Sequence, residues 1–371
     1  MAKKILVTGG AGFVGSHLVD KLVENGHQVR ILDNLDPQVH NKTPEYLNPE
    51  AEFIKGDVRN EDDIKKALKG VEVVFHEAAA VGVGQSMYQI KEYVDINTCG
   101  TARLLDALVN GSYGVEKLIV ASSMSVYGEG TYRCKECGIV YPKLRSSRQM
   151  EAKEWDFTCP ECRRVIEPVP TKEDKPLYPT SVYAISKRDQ EEMCLNVGRA
   201  YGIPTVALRY FNIYGPRQSL SNPYTGVCAI FLSRIKNSRT PLIFEDGLQA
   251  RDFISVHDIV QANLLAMNTS DADYEVLNIG SGNQVNISEV ARILIKLYTE
   301  ELQPKITAKY RAGDIRHCYA DISRARSRLK FEPKVSFEDG MRELIEWGED
   351  AWAEDKTQQA QCELERRKLI K

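Results

Sequence analysis

The chain has 371 residues, 43% hydrophobic and 27% charged, with a formal net charge of -3. That is enough apolar material for one large or two smaller folded units without covalent support, and the charge balance excludes a broad basic field for nucleic acid or anionic lipid. No apolar run is long enough to span a bilayer, and the N-terminal MAKKILVTGG is too short for a secretory core, so a cytosolic setting is expected.

Ile5 to Val7 reads as a short strand, and Gly9, Gly12 and Gly15 follow it. Leu18, Val19, Leu22 and Val23 then recur at helical spacing, and Val29 to Leu32 forms a second strand that ends at Asp33. Gly9 permits a tight turn, Gly12 lets backbone approach a pyrophosphate, and Gly15 lets helix and strand pack closely. The helix N-terminus offers free N–H groups and partial positive charge to phosphates. Asp33 can accept hydrogen bonds from ribose hydroxyls and would repel a 2′-phosphate, which favours NAD over NADP.

Strand and helix patterns alternate up to about residue 127, so 1–131 is read as the first part of a dinucleotide-binding domain. The segment 132–164 interrupts it with Cys134, Cys137, Cys159 and Cys162, two CxxC pairs at zinc-ribbon spacing. Thiols are reduced in the cytosol, so metal is expected there rather than disulfides. Four thiolates leave no open position, which makes the zinc structural. Such ribbons elsewhere bind nucleic acid, but PKLRSSR and CRR are short basic runs in a net acidic chain. A metal-stapled loop beside the site is the better reading, covering or shaping the substrate pocket. Cys99, Cys194, Cys228 and Cys318 read as small core residues, and Cys362 falls in the polar tail.

Residues 165–214 return to the first domain with the YAISK helix and the TVALRYF strand. Residues 215–348 form mainly a smaller α/β lobe, from which VHDIVQANLLAM turns back toward the first domain, and 349–371 is a polar tail, expected to be a frayed helix or disordered.

GxxGxxG, SSMSVYG, YAISK, LRYFNIYG, QARDFISVHDI and YRAGDIRH, in that order, resemble the extended branch of the short-chain dehydrogenase/reductase superfamily, its sugar-nucleotide epimerases and dehydratases, up to about Phe337. The resemblance implies an α/β fold: a doubly wound parallel Rossmann sheet, a smaller C-terminal α/β substrate lobe, and here a zinc-ribbon insertion. It implies cofactor contacts at Phe13, Val14, Asn34, Asp57, Val58, Ala78, Ala79, Ala80, Asn97, Ser122 and Phe211, besides the glycines and Asp33. The implied catalytic residues are Ser123, Tyr183 and Lys187, the last two also on the cofactor. For substrate it implies Gly82, Ser123, Ser125, Asn212, Arg251, Arg311 and Asp314. Asp314 reads equally as a turn residue and a ribose contact. Family members pair through the helices holding Asn97–Leu108 and Tyr183–Val197, so a homodimer is implied.

Tyr183 and Lys187 lie four apart, on one helix face. A nearby ammonium favours the phenolate and draws the tyrosine pKa down from about 10. The phenolate can then take a proton from a sugar hydroxyl while the adjacent carbon gives hydride to NAD. Dehydration would need an acid and a base beside the catalytic hydroxyl, and some relatives decarboxylate with a glutamate there, but this chain has Met124 and Ser125. Oxidation and re-reduction at one carbon remain. The expected activity is an NAD-dependent nucleotide-sugar 4-epimerase; AAAVGVGQSMYQI, SSMSVYGEG, the CxxC pairs, LSNPYTGV and RAGDIRHCYAD resemble the members that act on a dTDP-6-deoxyhexose such as dTDP-L-rhamnose, and that resemblance implies the substrate. UDP-glucose or UDP-glucuronate 4-epimerase is the alternative, as is a 4-keto-sugar nucleotide reductase, which Asp33 counts against. A catalytically silent NAD sensor is a different class, and the intact Ser123, Tyr183 and Lys187 argue against it.

Overall fold

The computed structural model describes residues 2–40, 42–298 and 301–371. Its central sheet begins with β1 (Lys4–Thr8), β2 (Gln28–Asp33), β3 (Glu52–Lys55), β4 (Val73–His76) and β5 (Lys117–Ser123). The cysteine segment adds β6 (Thr131–Cys134), β7 (Gly138–Val140) and β8 (Glu167–Val169), and β9 (Thr205–Tyr210) returns to the main sheet. A strand at Val276–Ile279 closes the far edge, and the seven parallel strands run Val276–Ile279, β9, β5, β4, β1, β2, β3. The fold is thus the doubly wound α/β sheet expected from the alternating pattern.

The strands are continuous apolar runs because helices cover both faces. One face buries Leu18, Val19 and Leu22 of helix Phe13–Glu24 with Ile259 and Ala262 of helix Val256–Asn268. The other buries Leu104, Leu105 and Leu108 of helix Gly100–Asn110 with Cys194 and Leu195 of helix Val182–Tyr201. Sheet order reverses between β1 and β4, and outside the carboxyl ends of the strands at such a switch point is where open α/β sheets carry their ligand crevice. A second core, including Phe231, Leu232, Leu294, Met341 and Leu344, belongs to the smaller lobe.

The cysteine segment has its own antiparallel sheet, β7–β6–β8. β8 pairs with β6 and carries this unit to Val169, beyond the bound read from the sequence. Its core is small: Tyr132, Cys134, Val140, Phe157, Cys159 and Ile166. The C-terminal segment is neither frayed nor loose. Helix Thr357–Arg366 buries Ala360 and Leu364, and Ile370 is buried beyond it. Lys371 exchanges two backbone hydrogen bonds with Tyr310. Among the described residues no helix is long and apolar enough to cross a membrane.

Arg209 of β9 sits in the interior, its side chain 4% exposed. It donates from Nη2 to Glu191 Oε1 at 2.6 Å and from Nε to Oε2 at 2.9 Å. Removing one partner strands a buried charge, at a cost of about 3–5 kcal/mol. Arg209→Met should therefore lower folding stability by about that amount, read as a fall in the denaturant midpoint; a midpoint near that of the unsubstituted protein would show the pair to be dispensable.

Candidate active site

The crevice is built first by the glycine turn. Gly9 has φ +71°, and a Cβ there would lie 2.8 Å from the Ala78 nitrogen. A Cβ on Gly15 would lie 2.2 Å from the Gly9 carbonyl oxygen, so helix and turn touch backbone to backbone. Helix Phe13–Glu24 starts at Gly12 with no side-chain cap and no acid in its first turn. Its leading N–H groups, at Phe13 and Val14, keep their capacity for an anion.

Asp33 ends β2, accepting from the Ala11 N–H at 3.0 Å and the Leu35 N–H at 2.8 Å. Asn34 donates to Asp57 Oδ2 at 2.9 Å. Burial would raise the Asp57 pKa, but hydrogen bonds from Arg59 and Asn34 outweigh it and bring it down to about 2. Val58 packs against Gly100. Asn97 lies in a π-helical turn, Val94–Cys99, of the kind that recurs at functional sites. Its side chain accepts from the Ala80 N–H at 2.8 Å, donates back to the Ala80 carbonyl, and donates to Ser186 Oγ. The strand-end run Ala78–Ala80 is thereby tied to the Tyr183 helix. These groups fit a dinucleotide: an uncapped helix end, a fixed carboxylate at the second strand, and small residues along the crevice floor.

Ser123 ends β5, next to Ser122, and its hydroxyl accepts from the Ser125 N–H and hydroxyl at 3.2 and 2.9 Å. Ser181 caps the helix Val182–Tyr201 by accepting from the Ala184 N–H at 3.1 Å. Tyr183, on the first turn, reaches Ser123: burial raises its pKa and the Ser123 hydrogen bond opposes the rise. Lys187, one turn on, donates to the Ala121 carbonyl at 2.8 Å. Burial lowers its pKa to about 8, against the pull of Glu77. Ser123, Tyr183 and Lys187 therefore meet at one strand end.

Glu77 is the residue the sequence reading passed over. Tyr210 donates to its Oε1 at 2.9 Å, and burial raises its pKa to about 7 against Tyr210 and Lys187. An acid within the apolar run VVFHEAAA was the available signal.

Across the crevice, Asn212 opens a short strand, Asn212–Tyr214, and its backbone N–H donates to the Asp252 carbonyl. Its side-chain Oδ1 is buried without a hydrogen-bond partner among the described residues. Phe211 is buried beside Tyr127. Arg251 donates to the carbonyls of Ala250, Arg316 and Ile315, and to Asp314 Oδ1 at 3.3 Å. Arg311 donates to Asp314 Oδ2 at 3.1 Å. Burial would raise the Asp314 pKa, but Arg311, Arg251 and Arg145 together hold it below the usual range. Arg251, Arg311 and Asp314 are thus one cluster. Gly82 has φ +146°, and a Cβ there would meet the Tyr93 hydroxyl at 2.7 Å.

The sulfurs of Cys134, Cys137, Cys159 and Cys162 lie within 4.8 Å of one another, Cys134 and Cys162 at 3.5 Å. Zinc–sulfur bonds of about 2.3 Å set tetrahedral sulfurs about 3.8 Å apart, so this donor set fits a closed four-thiolate site.

Residues 5–147 match the NAD dependent epimerase/dehydratase family and residues 165–344 match GDP-mannose 4,6 dehydratase. A dTDP-L-rhamnose 4-epimerase of Burkholderia thailandensis is 35% identical over 350 residues, 93% of this chain and 94% of that protein. The UDP-glucose 4-epimerase of Thermotoga maritima, solved with UDP-glucose, has a TM-score of 0.76 at 33% identity, covering 93% of this chain and 98% of that one. The UDP-glucuronic acid 4-epimerase of Bacillus cereus, in complex with UDP-glucuronic acid and NAD, has a TM-score of 0.77 at 28% identity, covering 94% and 100%.

Glu77→Gln removes the charge that opposes burial at Lys187, so that ammonium should titrate at lower pH. Heteronuclear NMR of nitrogen-labelled lysine side chains reads the shift; an unmoved Lys187 titration would show that the two groups are not coupled.

Proposed function

Because the chain belongs to the NAD-dependent epimerase/dehydratase family, we propose that it is an NAD-dependent nucleotide-sugar 4-epimerase, an isomerase, acting on a dTDP-6-deoxyhexose such as dTDP-L-rhamnose. The observation that carries this reading is the convergence of Ser123, Tyr183 and Lys187 at one strand end, with no acid at Met124 or Ser125. The Burkholderia relative supports the rhamnose choice. The two solved epimerases favour UDP-glucose or UDP-glucuronate as the second reading.

Bound NAD would supply the two-electron acceptor and donor, with no outside reductant consumed. The glycine turn at Gly9, Gly12 and Gly15 would hold its pyrophosphate, Asp33 and Asn34 its adenosine ribose, and Asp57 with Val58 its adenine. Ala78–Ala80, Asn97, Ser122 and Phe211 would line the rest of the cofactor path. Tyr183, as phenolate, would take the proton from the sugar C4 hydroxyl. Ser123 hydrogen-bonds the same oxygen and fixes its distance from Tyr183. Burial holds Tyr183 above its ordinary pKa with only the Ser123 hydrogen bond opposing, contrary to the lowering expected from the sequence, so the phenolate would depend on the positive charge of the bound nicotinamide together with the Lys187 ammonium. The same tyrosine would return the proton once the 4-keto sugar has turned over. Gly82, Ser125 and Asn212 border the sugar and diphosphate, and Arg251, Arg311 and Asp314 grip the nucleotide.

The four cysteines are read as a structural zinc site, supported by their clustered sulfurs. A homodimer through the helices around Asn97–Leu108 and Tyr183–Val197 is supported by apolar side chains left exposed there, Val94 and Ile185.

Tyr183→Phe should keep NAD bound and lower kcat by about 10²–10⁴-fold, measured by NMR of the sugar epimers across dTDP- and UDP-sugars. Activity within a few-fold of the unsubstituted enzyme would remove Tyr183 as the base. Turnover that needs stoichiometric NADPH would replace the epimerase with a keto-sugar reductase. Metal analysis should find one zinc per chain. Cys134→Ser should lose it, unfold the insertion and spare NAD binding; a zinc-free variant with unchanged kinetics would detach the insertion from the sugar site.

A further inference from the structure

The cysteine insertion touches the smaller lobe through a buried network of charges. Arg145, within the insertion, has a side chain 1% exposed and makes a fork-on-fork pair with Glu245, both bonds 2.8 Å. The same guanidinium donates to the Trp155 carbonyl and, at 3.3 Å, to the Asp314 carbonyl. Its other neighbour is the Phe157 ring, which packs in the core shared by Cys134 and Cys159. One side chain therefore joins the four-cysteine unit to the segment that carries Asp314.

Glu245 is itself in a costly conformation. Its φ is +53°, in the left-handed region where a glutamate is strained. Its carboxylate is consumed by two guanidinium groups, Arg145 and, at 3.1 Å, Arg316. Arg316 is also 1% exposed; it reaches Asp246 and, back in the insertion, Asp156. Glu129, just before the insertion, accepts from the Arg316 and His317 N–H groups at 2.7 Å. The backbone from Asp314 to His317 is thus held from the insertion side at three points.

That backbone in turn holds Arg251. Two of the acceptors that orient its guanidinium are the carbonyls of Ile315 and Arg316, at 2.6 and 2.9 Å. The aim of the Arg251 charge is set by where those carbonyls stand.

We propose that Arg145 is a positioning residue for nucleoside-diphosphate binding: through Glu245 and the Asp314–Arg316 backbone it makes the cysteine insertion part of the device that aims Arg251 at the diphosphate. The proposal rests on the reading of Arg251 as a diphosphate ligand. A guanidinium fork is the group that fixes such a geometry, since a lysine offers a point charge without the second bond.

The test measures dTDP and UDP binding to the NAD-loaded enzyme by calorimetry, with kcat and KM, for Arg145→Met, Arg145→Lys, Arg251→Met and the double variant Arg145→Met/Arg251→Met. Arg145→Met should weaken both nucleotides and raise KM by about tenfold, with kcat within about twofold and NAD content unchanged. Arg145→Lys should fall between Arg145→Met and the unsubstituted enzyme, and keeps the proposal testable if the methionine variant does not fold. In the Arg251→Met background, Arg145→Met should have no further effect, because its action runs through Arg251. Multiplying effects would overturn the proposal, as would unchanged nucleotide binding in a folded Arg145→Met or Arg145→Lys enzyme. If Arg251→Met alone leaves dTDP and UDP binding unchanged, the diphosphate reading of Arg251 fails instead.

Discussion

A guanidinium taken out of water must find partners for its charge and for its donors, or the fold gives way. Arg209 meets this demand with four hydrogen bonds to three partners. Glu191 takes two of its bonds and lies one turn beyond Lys187 on the same helix. Glu191 also accepts from the Ser122 hydroxyl at 2.6 Å, beside Ser123. Tyr127, just past Ser123, accepts at 2.9 Å, and the carbonyl of Glu173, where the chain leaves the cysteine insertion, accepts at 3.1 Å. The register of the Tyr183 helix against β5 follows from this one side chain. A slip of either element would leave Arg209 or Glu191 charged and unpaired, so the distance between Tyr183 and Ser123 is defended by electrostatics as well as by packing.

The nucleotide side of the crevice is fixed differently. The segment 311–316 has little regular structure, yet it is held on both flanks. From the insertion come Arg145 and Asp156, and from just before it Glu129. Thr180 donates to the Gly313 carbonyl at 3.0 Å. From the C-terminus, Leu369 accepts from the Ala312 N–H at 2.8 Å, and Arg311 bridges Ile370. Two peripheral elements, neither part of the sheet, together do what a strand would otherwise do.

The local parts of the site were legible because their chemistry is written within a few residues. GxxGxxG needs only the close contacts of Gly9 and Gly15, and YxxxK needs only helix geometry. The CxxC pairs were legible for the same reason: a chelating pair is short, and two such pairs imply a common centre. What escaped was long-range. Arg145 and Glu245 stand 100 residues apart and Glu129 and Arg316 stand 187 apart, and no sequence spacing announces either pairing. The C-terminal segment looked like a polar tail because few of its residues are apolar. Of those few, Ala360, Leu364 and Ile370 are buried against the protein while Trp352 stays exposed, and backbone pairing with Tyr310 and Ala312 completes the docking. The strand Val276–Ile279 went unread because it is a short edge strand, and only its parallel pairing with β9 gives it meaning.

Epimerisation by oxidation and return asks two contrary things of one crevice. On the proposed mechanism the hydroxyl at the reacting carbon sits against Tyr183 in both half-reactions, yet the ring presents opposite faces to the cofactor. A tight grip on the sugar would satisfy the first demand and forbid the second. The grip therefore belongs at the far end of the substrate, where the phosphates carry charge that a fixed guanidinium can hold through the turn. The structure has this division. The Ser123–Tyr183–Lys187 corner is bound to the sheet by Arg209, and the Arg251–Asp314 cluster is bound to separate, peripheral elements. At the strand end itself the chain carries Met124 and Ser125, neither of them charged, so no second ionic grip on the sugar comes from there.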